Sequence, residues 1–181
     1  MENRRVTSSD PVVAQRRLVL VRHAKAEAWG EDDHARLLTE KGRADAAAAG
    51  RWLAESGFTP DRALVSSATR TRETWSLMSE AAGWELAPVI EPALFAASPD
   101  TALDLLRESP ADALAVMVVG HNPTIAYLAQ LLDDGSGDEA AGAAMVGGYP
   151  PCAMTVFDVT DDWADLEIAS ASLRAFHSGR P

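Results

Sequence analysis

Cysteine is almost absent from this chain, with Cys152 the only one among 181 residues. A disulfide framework is therefore excluded, and a reducing compartment fits. No apolar run approaches the ~20 residues that a membrane-spanning helix needs. Met1 to Arg17 carries charge but no apolar h-region, so it does not read as a signal peptide, and a cytoplasmic location is expected. Basic side chains are also scarce: 16 Lys and Arg stand against 27 Asp and Glu, a net charge of −11. Nucleic acid and anionic membranes want a basic face, so neither is an expected partner. An anionic small-molecule site is still possible, provided that it is locally basic against the global field. The glycine motifs of nucleotide binding, G-x-x-x-x-G-K-S/T and G-x-G-x-x-G, do not occur. The acidic run Asp133 to Glu139 lacks the ligand spacing of a calcium loop. No cofactor and no metal are expected.

What is present is apolar residue, 47% of the chain, enough for a substantial core. Residues 1–15 are polar and aperiodic and read as a flexible arm, residues 16–175 as one domain, and 176–181 as a tail. Short apolar runs that read as strands alternate with helical stretches. Strands are expected at 16–22, 63–65, 86–90 and 114–119. Helices are expected from the Thr39 N-cap to Ser56, and over 69–82, 100–108 and 124–132. Residues 133–151 read as a long acidic, glycine-rich loop. A hairpin is predicted with strands 153–159 and 164–169 around Thr160-Asp161-Asp162. This order predicts an α/β fold: a three-layer α/β/α sandwich, its central sheet mostly parallel with an antiparallel edge strand, and no cap domain.

Two of these strands end on reactive side chains. Leu18-Val19-Leu20-Val21 runs into Arg22-His23, and Val116-Met117-Val118-Val119-Gly120 runs into His121-Asn122-Pro123. Ligands of open α/β sheets collect beyond the carboxyl ends of strands. A third junction, Ser66-Ser67-Ala68-Thr69-Arg70-Thr71-Arg72-Glu73-Thr74, leads from a strand into a helix whose N-terminus favours anions. Arg70 in that first turn opposes the helix dipole, a local cost that a phosphate clamp explains. Each piece alone is equally compatible with a solvated strand end, a surface charge or a capping histidine. Together they bring two arginines and a histidine to one edge, enough to hold a transferring phosphoryl group, with the second histidine free to attack it.

Leu20-Val21-Arg22-His23-Ala24, then Ser66-x-x-x-Arg70-Thr71-x-x-Thr74, then Gly120-His121 resemble the histidine phosphatase superfamily, the phosphoglycerate mutase-like fold. Within it the chain is most similar to the small SixA-type phosphohistidine phosphatases. Arg36-Leu37-Leu38-Thr39-Glu40-Lys41-Gly42 resembles that branch's Arg-Pro-Leu-Thr-x-x-Gly block, with Leu37 in place of proline. The resemblance implies that His23 is the catalytic nucleophile, that Arg22, Arg70 and His121 bind the phosphoryl group, that Arg36 contacts substrate, and that Ser66 is structural. It also implies a general acid after the third strand. Here Glu91 is the candidate, because Ala93 stands where a glutamate is usual; Asp32, Asp33 and His34 are alternatives in the first loop. Otherwise His34 and His177 lack partner spacing. Trp29 is a candidate for the pocket mouth.

An alkoxide needs a proton as it leaves, whereas imidazole, with a conjugate-acid pKa near ~6.5, leaves more easily. A weakly equipped acid therefore suits protein phosphohistidine. The segment 86–113 is too short for a capping insertion, which fits an open pocket. The expected function is a metal-independent phosphatase working through a covalent phosphohistidine on protein phosphohistidine. The rivals are a broad phosphatase of small phosphorylated metabolites and a catalytically silent anion- or protein-binding module. His23 must be neutral to attack, which neighbouring cations favour, so activity is expected to fall at acid pH.

Overall fold

A computed structural model describes residues 15–178. Most of the predicted arm and the end of the predicted tail lie outside the described residues. Six strands form one sheet: β1 (Arg16–Arg22), β2 (Arg62–Ser66), β3 (Val89–Glu91), β4 (Ala115–Gly120), β5 (Met154–Val159) and β6 (Ala171–His177). Their spatial order is β3-β2-β4-β1-β5-β6. The first four are parallel, and β5 runs antiparallel to both β1 and β6. The antiparallel strand therefore sits one place in from the edge, with β6 outside it.

Strand geometry explains the layers. Successive side chains of a strand point to opposite faces. Leu18 and Leu20 of β1 enter one core cluster, while Val19 and Val21 enter the other. The first face is covered by α3 (Pro99–Arg107), α4 (Thr124–Leu132) and α5 (Glu139–Gly147) through Leu106, Leu128 and Met145. The second is covered by α1 (Glu40–Glu55) and α2 (Thr69–Ala82) through Leu53 and Met78. Because β1 is buried on both sides, it reads as a continuous apolar run rather than an alternating one.

The chain leaves β1 toward α1 on one face and leaves β4 toward α4 on the other. The two strands are neighbours, with Arg22 opposite Gly120. Their carboxyl ends therefore form a topological switch point, the place where an open α/β sheet leaves a crevice.

Helix limits follow local chemistry. Thr39 caps α1 by accepting from Gly42 N, and Gly83 closes α2 in the left-handed conformation at φ 72°. Four expectations are corrected. The segment predicted as one long loop contains α5, whose N-cap Asp138 accepts from Ala141 N; its glycines obscured the helical pattern. The predicted strand 164–169 is not a strand: Trp163 and Leu166 enter the core from the 3-10 turn Trp163–Asp165 and its C-cap, and the partner of β5 begins at Ala171. Phe176 and His177 accordingly belong to β6, and His177 stacks on Trp52 at 4.4 Å rather than lying in a free tail. The third strand is shorter than expected, starting at Val89 after Pro88.

Candidate active site

His23 and His121 each follow the last residue of neighbouring parallel strands, which are about 4.8 Å apart. Their ring centroids are 5.2 Å apart. The backbone at His23 is held from both sides: its N–H donates to Gly120 O, and its carbonyl accepts from Cys152 N. Ala24 N–H donates to Thr74 Oγ1 at 3.0 Å, and that hydroxyl donates to Arg70 O at 2.7 Å. Thr71 Oγ1 lies 2.7 Å from both Ser66 O and Ala68 O, within donating distance of each, closing the β2–α2 turn. Thr74 thus ties the helix that carries Arg70 to the strand end that carries His23, and Thr71 ties it to the end of β2.

The Thr39–Gly42 block does related work. Thr39 N and Oγ1 both donate to Lys25 O. A Cβ on Gly42 would stand 2.1 Å from that same oxygen. Only glycine allows α1 to press against the chain two residues beyond His23.

Arg70 is the hub, with only 4% of its surface exposed. Its Nε donates to His23 Nε2 at 3.3 Å and its Nη2 to His121 Nδ1 at 3.3 Å. The same guanidinium donates to the backbone carbonyl and, at 3.0 Å, to the carboxylate of Asp33. Arginine has no acceptor, so each ring nitrogen facing it must carry a lone pair. His23 Nδ1 donates to Ala24 O at 2.7 Å, leaving Nε2 unprotonated as the acceptor of the Arg70 bond. His121 Nε2 donates to Ser66 Oγ at 2.8 Å. Ser66 therefore orients His121 directly, beyond the structural role expected of it.

Arg22 donates from Nη1 to Tyr149 O at 2.7 Å, and Asn122 Nδ2 donates to the same oxygen at 3.0 Å. The buried Tyr149 hydroxyl in turn donates to Leu20 O at 2.8 Å. One residue between α5 and β5 thus fixes Arg22 relative to the strand it ends.

These side chains line a cavity of about 290 Å³, with Lys25, Ala26, Arg36, Asn122 and Pro151 completing the wall. A larger groove of about 750 Å³ along α2 offers Arg72, Glu73 and Glu80 but no histidine. The small basic cavity is the chemically furnished one.

Burial is the main reason that both histidines are neutral. His23 is lowered to about 4, first by desolvation and then by Arg70, Arg22 and Arg36, against the Ala24 hydrogen bond. His121 is lowered to about 3 by desolvation, then by His23 and Arg70, with Asp33 opposing. The cations anticipated from sequence are the lesser cause.

Glu91 is not brought to the cavity. Its carboxylate accepts from Ala93 N and caps the 3-10 turn Pro92–Phe95. That turn instead delivers Phe95, whose ring meets His121 edge-on at 5.5 Å and lies 5.8 Å from the Arg70 guanidinium carbon. Asp33 reaches the rim but is paired with Arg70 and Arg36 at 3.0 Å. Its small burial raises the carboxyl pKa, yet the Arg70 hydrogen bond and the charges of Arg70 and Arg36 outweigh this and hold it below the usual value. His34 does have partners, Ser67 Oγ at 2.9 Å and the Phe95 ring at 5.0 Å. Trp29 is 89% exposed and does not line the cavity. Cys152 is buried, which pushes its thiol up to about 12.

Residues 18–95 match the histidine phosphatase superfamily (branch 1). The SixA structure from Nakamurella multipartitia is 34% identical, with a TM-score of 0.80, covering 90% of this chain and 95% of that one. The chain belongs to the histidine phosphatase superfamily. The SixA structure from Agrobacterium tumefaciens is 30% identical at TM-score 0.75, covering 92% of this chain and 98% of its own. An uncharacterised protein of Mycobacterium tuberculosis is 34% identical over 162 residues, 88% of this chain and 100% of that protein. Fold and superfamily membership therefore agree with the strand-end reading of the sequence. Among the described residues no helix is long and apolar enough to cross a membrane.

Sequence reasoning missed Tyr149, Asn122, Lys25 and Phe95. Asn122 and Lys25 lie within two residues of the histidines, and that adjacency was the available signal. Tyr149 had none, since it reaches β1 from 129 residues away.

Proposed function

We propose that this protein is a phosphatase that forms a covalent phosphohistidine on His23 and acts on protein phosphohistidine. The phosphoryl group docks against Arg22, Arg70 and His121, with Arg36 and Lys25 at the mouth. His23 Nε2 attacks phosphorus in line, forming an N–P bond as the bond to the leaving group breaks and its electron pair departs with that group. Water then attacks the phosphohistidine, releasing inorganic phosphate and restoring the neutral imidazole. Guanidinium and imidazole groups carry the developing charge, so the reading needs no metal.

The observation that carries the choice of substrate is the asymmetry of the cavity. Its attacking nitrogen is unprotonated and oriented, whereas the two candidate carboxylates are committed, Asp33 at the rim to two arginines and Glu91, outside the cavity, to a helical cap. A leaving imidazole tolerates this; a leaving alkoxide does not. Cavity size agrees: about 290 Å³ lies at the lower limit for small-molecule sites and suits a phosphoryl group borne on a larger partner. The SixA relatives are named for phosphohistidine phosphatase activity.

The test is a rapid-quench experiment with labelled phosphohistidine peptide, alongside several sugar phosphates. Acid-labile, alkali-stable label on His23 and faster turnover of the peptide are expected. Label on His23 with faster turnover of the sugar phosphates would favour the broad small-molecule phosphatase. No label from any donor would return the chain to the silent binding module.

A further inference from the structure

A cavity of about 290 Å³ takes a phosphoryl group and the ring that bears it, and no more. The rest of a protein donor must lie outside, against whatever flanks the mouth. One flank is the first loop. Arg36, which lines the cavity, is crossed there by Gly30: a Cβ on that glycine would stand 2.9 Å from Arg36 Cγ. Trp29 precedes the crossing and is 89% exposed; Leu37 follows Arg36 and is 48% exposed. No large apolar side chain among the described residues is more exposed than Trp29.

The loop that presents them is braced. Ala26 and Leu38 form an antiparallel bridge, and Glu27 N donates to Leu37 O. Arg36 Nη1 donates to Glu27 O at 3.2 Å, Ala35 N to Asp32 Oδ1 at 2.7 Å, and Leu38 N to Glu73 on α2. Docking on an ordered loop costs less conformational freedom than docking on a loose one, and tryptophan is enriched among the residues that anchor protein interfaces. We propose that the first loop is the docking surface for the protein that carries the phosphohistidine, with Trp29 and Leu37 as apolar anchors, and that this partner is apolar and basic beside its phosphohistidine. The inference rests on the proposed function. The sign of the partner's charge follows from the loop: Glu27, Glu31 and Asp32 are exposed around Trp29, on a chain of net charge −11. The cations nearby, Lys25 and Arg36, line the cavity, where the phosphoryl group engages them. An acidic flank on the partner would be repelled by the same loop that its apolar residues must reach.

Two kinds of donor separate docking from chemistry. Phosphoramidate is small enough to meet only the cavity walls, whereas a phosphohistidine peptide must cross the loop. The peptide is made in two forms, with leucine and lysine or with leucine and aspartate beside the phosphohistidine. Trp29→Ser should leave turnover of phosphoramidate unchanged and lower kcat/KM for the lysine peptide about tenfold, through KM. Trp29→Phe should recover most of that loss, and Leu37→Ser should cost about threefold. The wild-type protein should prefer the lysine peptide, less so as salt is raised. The double variant Glu27→Gln, Glu31→Gln should narrow that preference about threefold and flatten its salt dependence.

An unchanged KM for the peptide in Trp29→Ser overturns the proposal, as does an equal loss on peptide and phosphoramidate, which would make Trp29 a support of the cavity. Preference for the aspartate peptide overturns the basic partner. Sedimentation that showed a dimer dissolved by Trp29→Ser would give the anchors to a second copy of this chain, and that too overturns it. No label on His23 from either kind of donor removes the phosphatase reading as well. Turnover of both donors by Trp29→Ser at wild-type KM removes this inference alone.

Discussion

The two sides of the cavity are built to different standards. On the attacking side His23 is buried, its backbone is bonded to the end of β4 and to the turn before β5, and its tautomer is set by Ala24 O. On the leaving side the wall is the first loop, where the Asp33 carboxylate is 62% exposed and already paired. Order of this kind supplies preorganisation, and preorganised donors and dipoles lower a barrier without reorganising at the moment of reaction. Under the proposed function, the difference teaches that attack is prearranged and departure is left to the substrate. Each experiment below strains one side of that contrast.

The largest effect is expected on the attacking side. His23→Asn removes the proposed nucleophile and should lower turnover of phosphohistidine peptide by roughly 10⁴-fold or more, with phosphate affinity largely kept. Residual turnover within 100-fold of wild type would show that another group attacks. Arg70→Lys keeps the charge but loses the fork that reaches His23, His121 and Asp33 together. A fall in kcat of roughly 10²- to 10³-fold is expected, the scale for losing a preorganised donor to the transition state. Unchanged kcat with a raised KM would reduce Arg70 to a binding group.

The same contrast explains what was legible in the sequence. Strand ends were visible because β1 and β4 are buried on both faces and then stop abruptly on Arg22-His23 and Gly120-His121. The β2–α2 junction was visible because Arg70 sits at a helix start, where it opposes the helix dipole. Those local patterns place three of the four principal side chains on adjacent strands and require no knowledge of distant segments. The supporting contacts were not legible, because they join segments far apart in sequence. Tyr149 holds Arg22 from beyond α5, and Glu73 of α2 accepts from Leu38 N at 2.6 Å to fix the first loop. The role of Glu91 was misread for the same reason: spacing places a carboxylate near a strand end, but only the fold shows it turned to cap Ala93 N.

Acidity provides an intermediate test of the attacking side. In the folded protein His23 and His121 sit at about 4 and about 3, below the ~6.5 of an unfolded histidine. The unfolded chain therefore binds protons first as pH falls. Stability from these two groups is fully present above ~6.5 and is lost progressively as pH falls toward 4 and then 3. Thermal melts should show Tm dropping across this window, with a shallower slope in the His23→Asn, His121→Asn double variant. An identical slope in that variant would place the acid sensitivity elsewhere. Protonation of free His23 should limit kcat/KM only near pH 4, well below the point set by an unperturbed imidazole.

The smallest effects are expected on the leaving side, and they separate the two carboxylates. Glu91→Gln keeps an acceptor for Ala93 N, so activity on phosphohistidine should stay within about twofold and stability within about 0.5 kcal/mol. Asp33→Asn removes an anion paired with Arg70 and Arg36, which on the proposed reading would compete with a phosphoryl group for them. KM should fall a few-fold and kcat should barely move. If instead Asp33→Asn lowered kcat on phosphomonoesters tenfold or more while sparing phosphohistidine, Asp33 would be the proton donor. The leaving side would then be equipped after all, by a carboxylate that protonates only once phosphate has drawn Arg70 away from it.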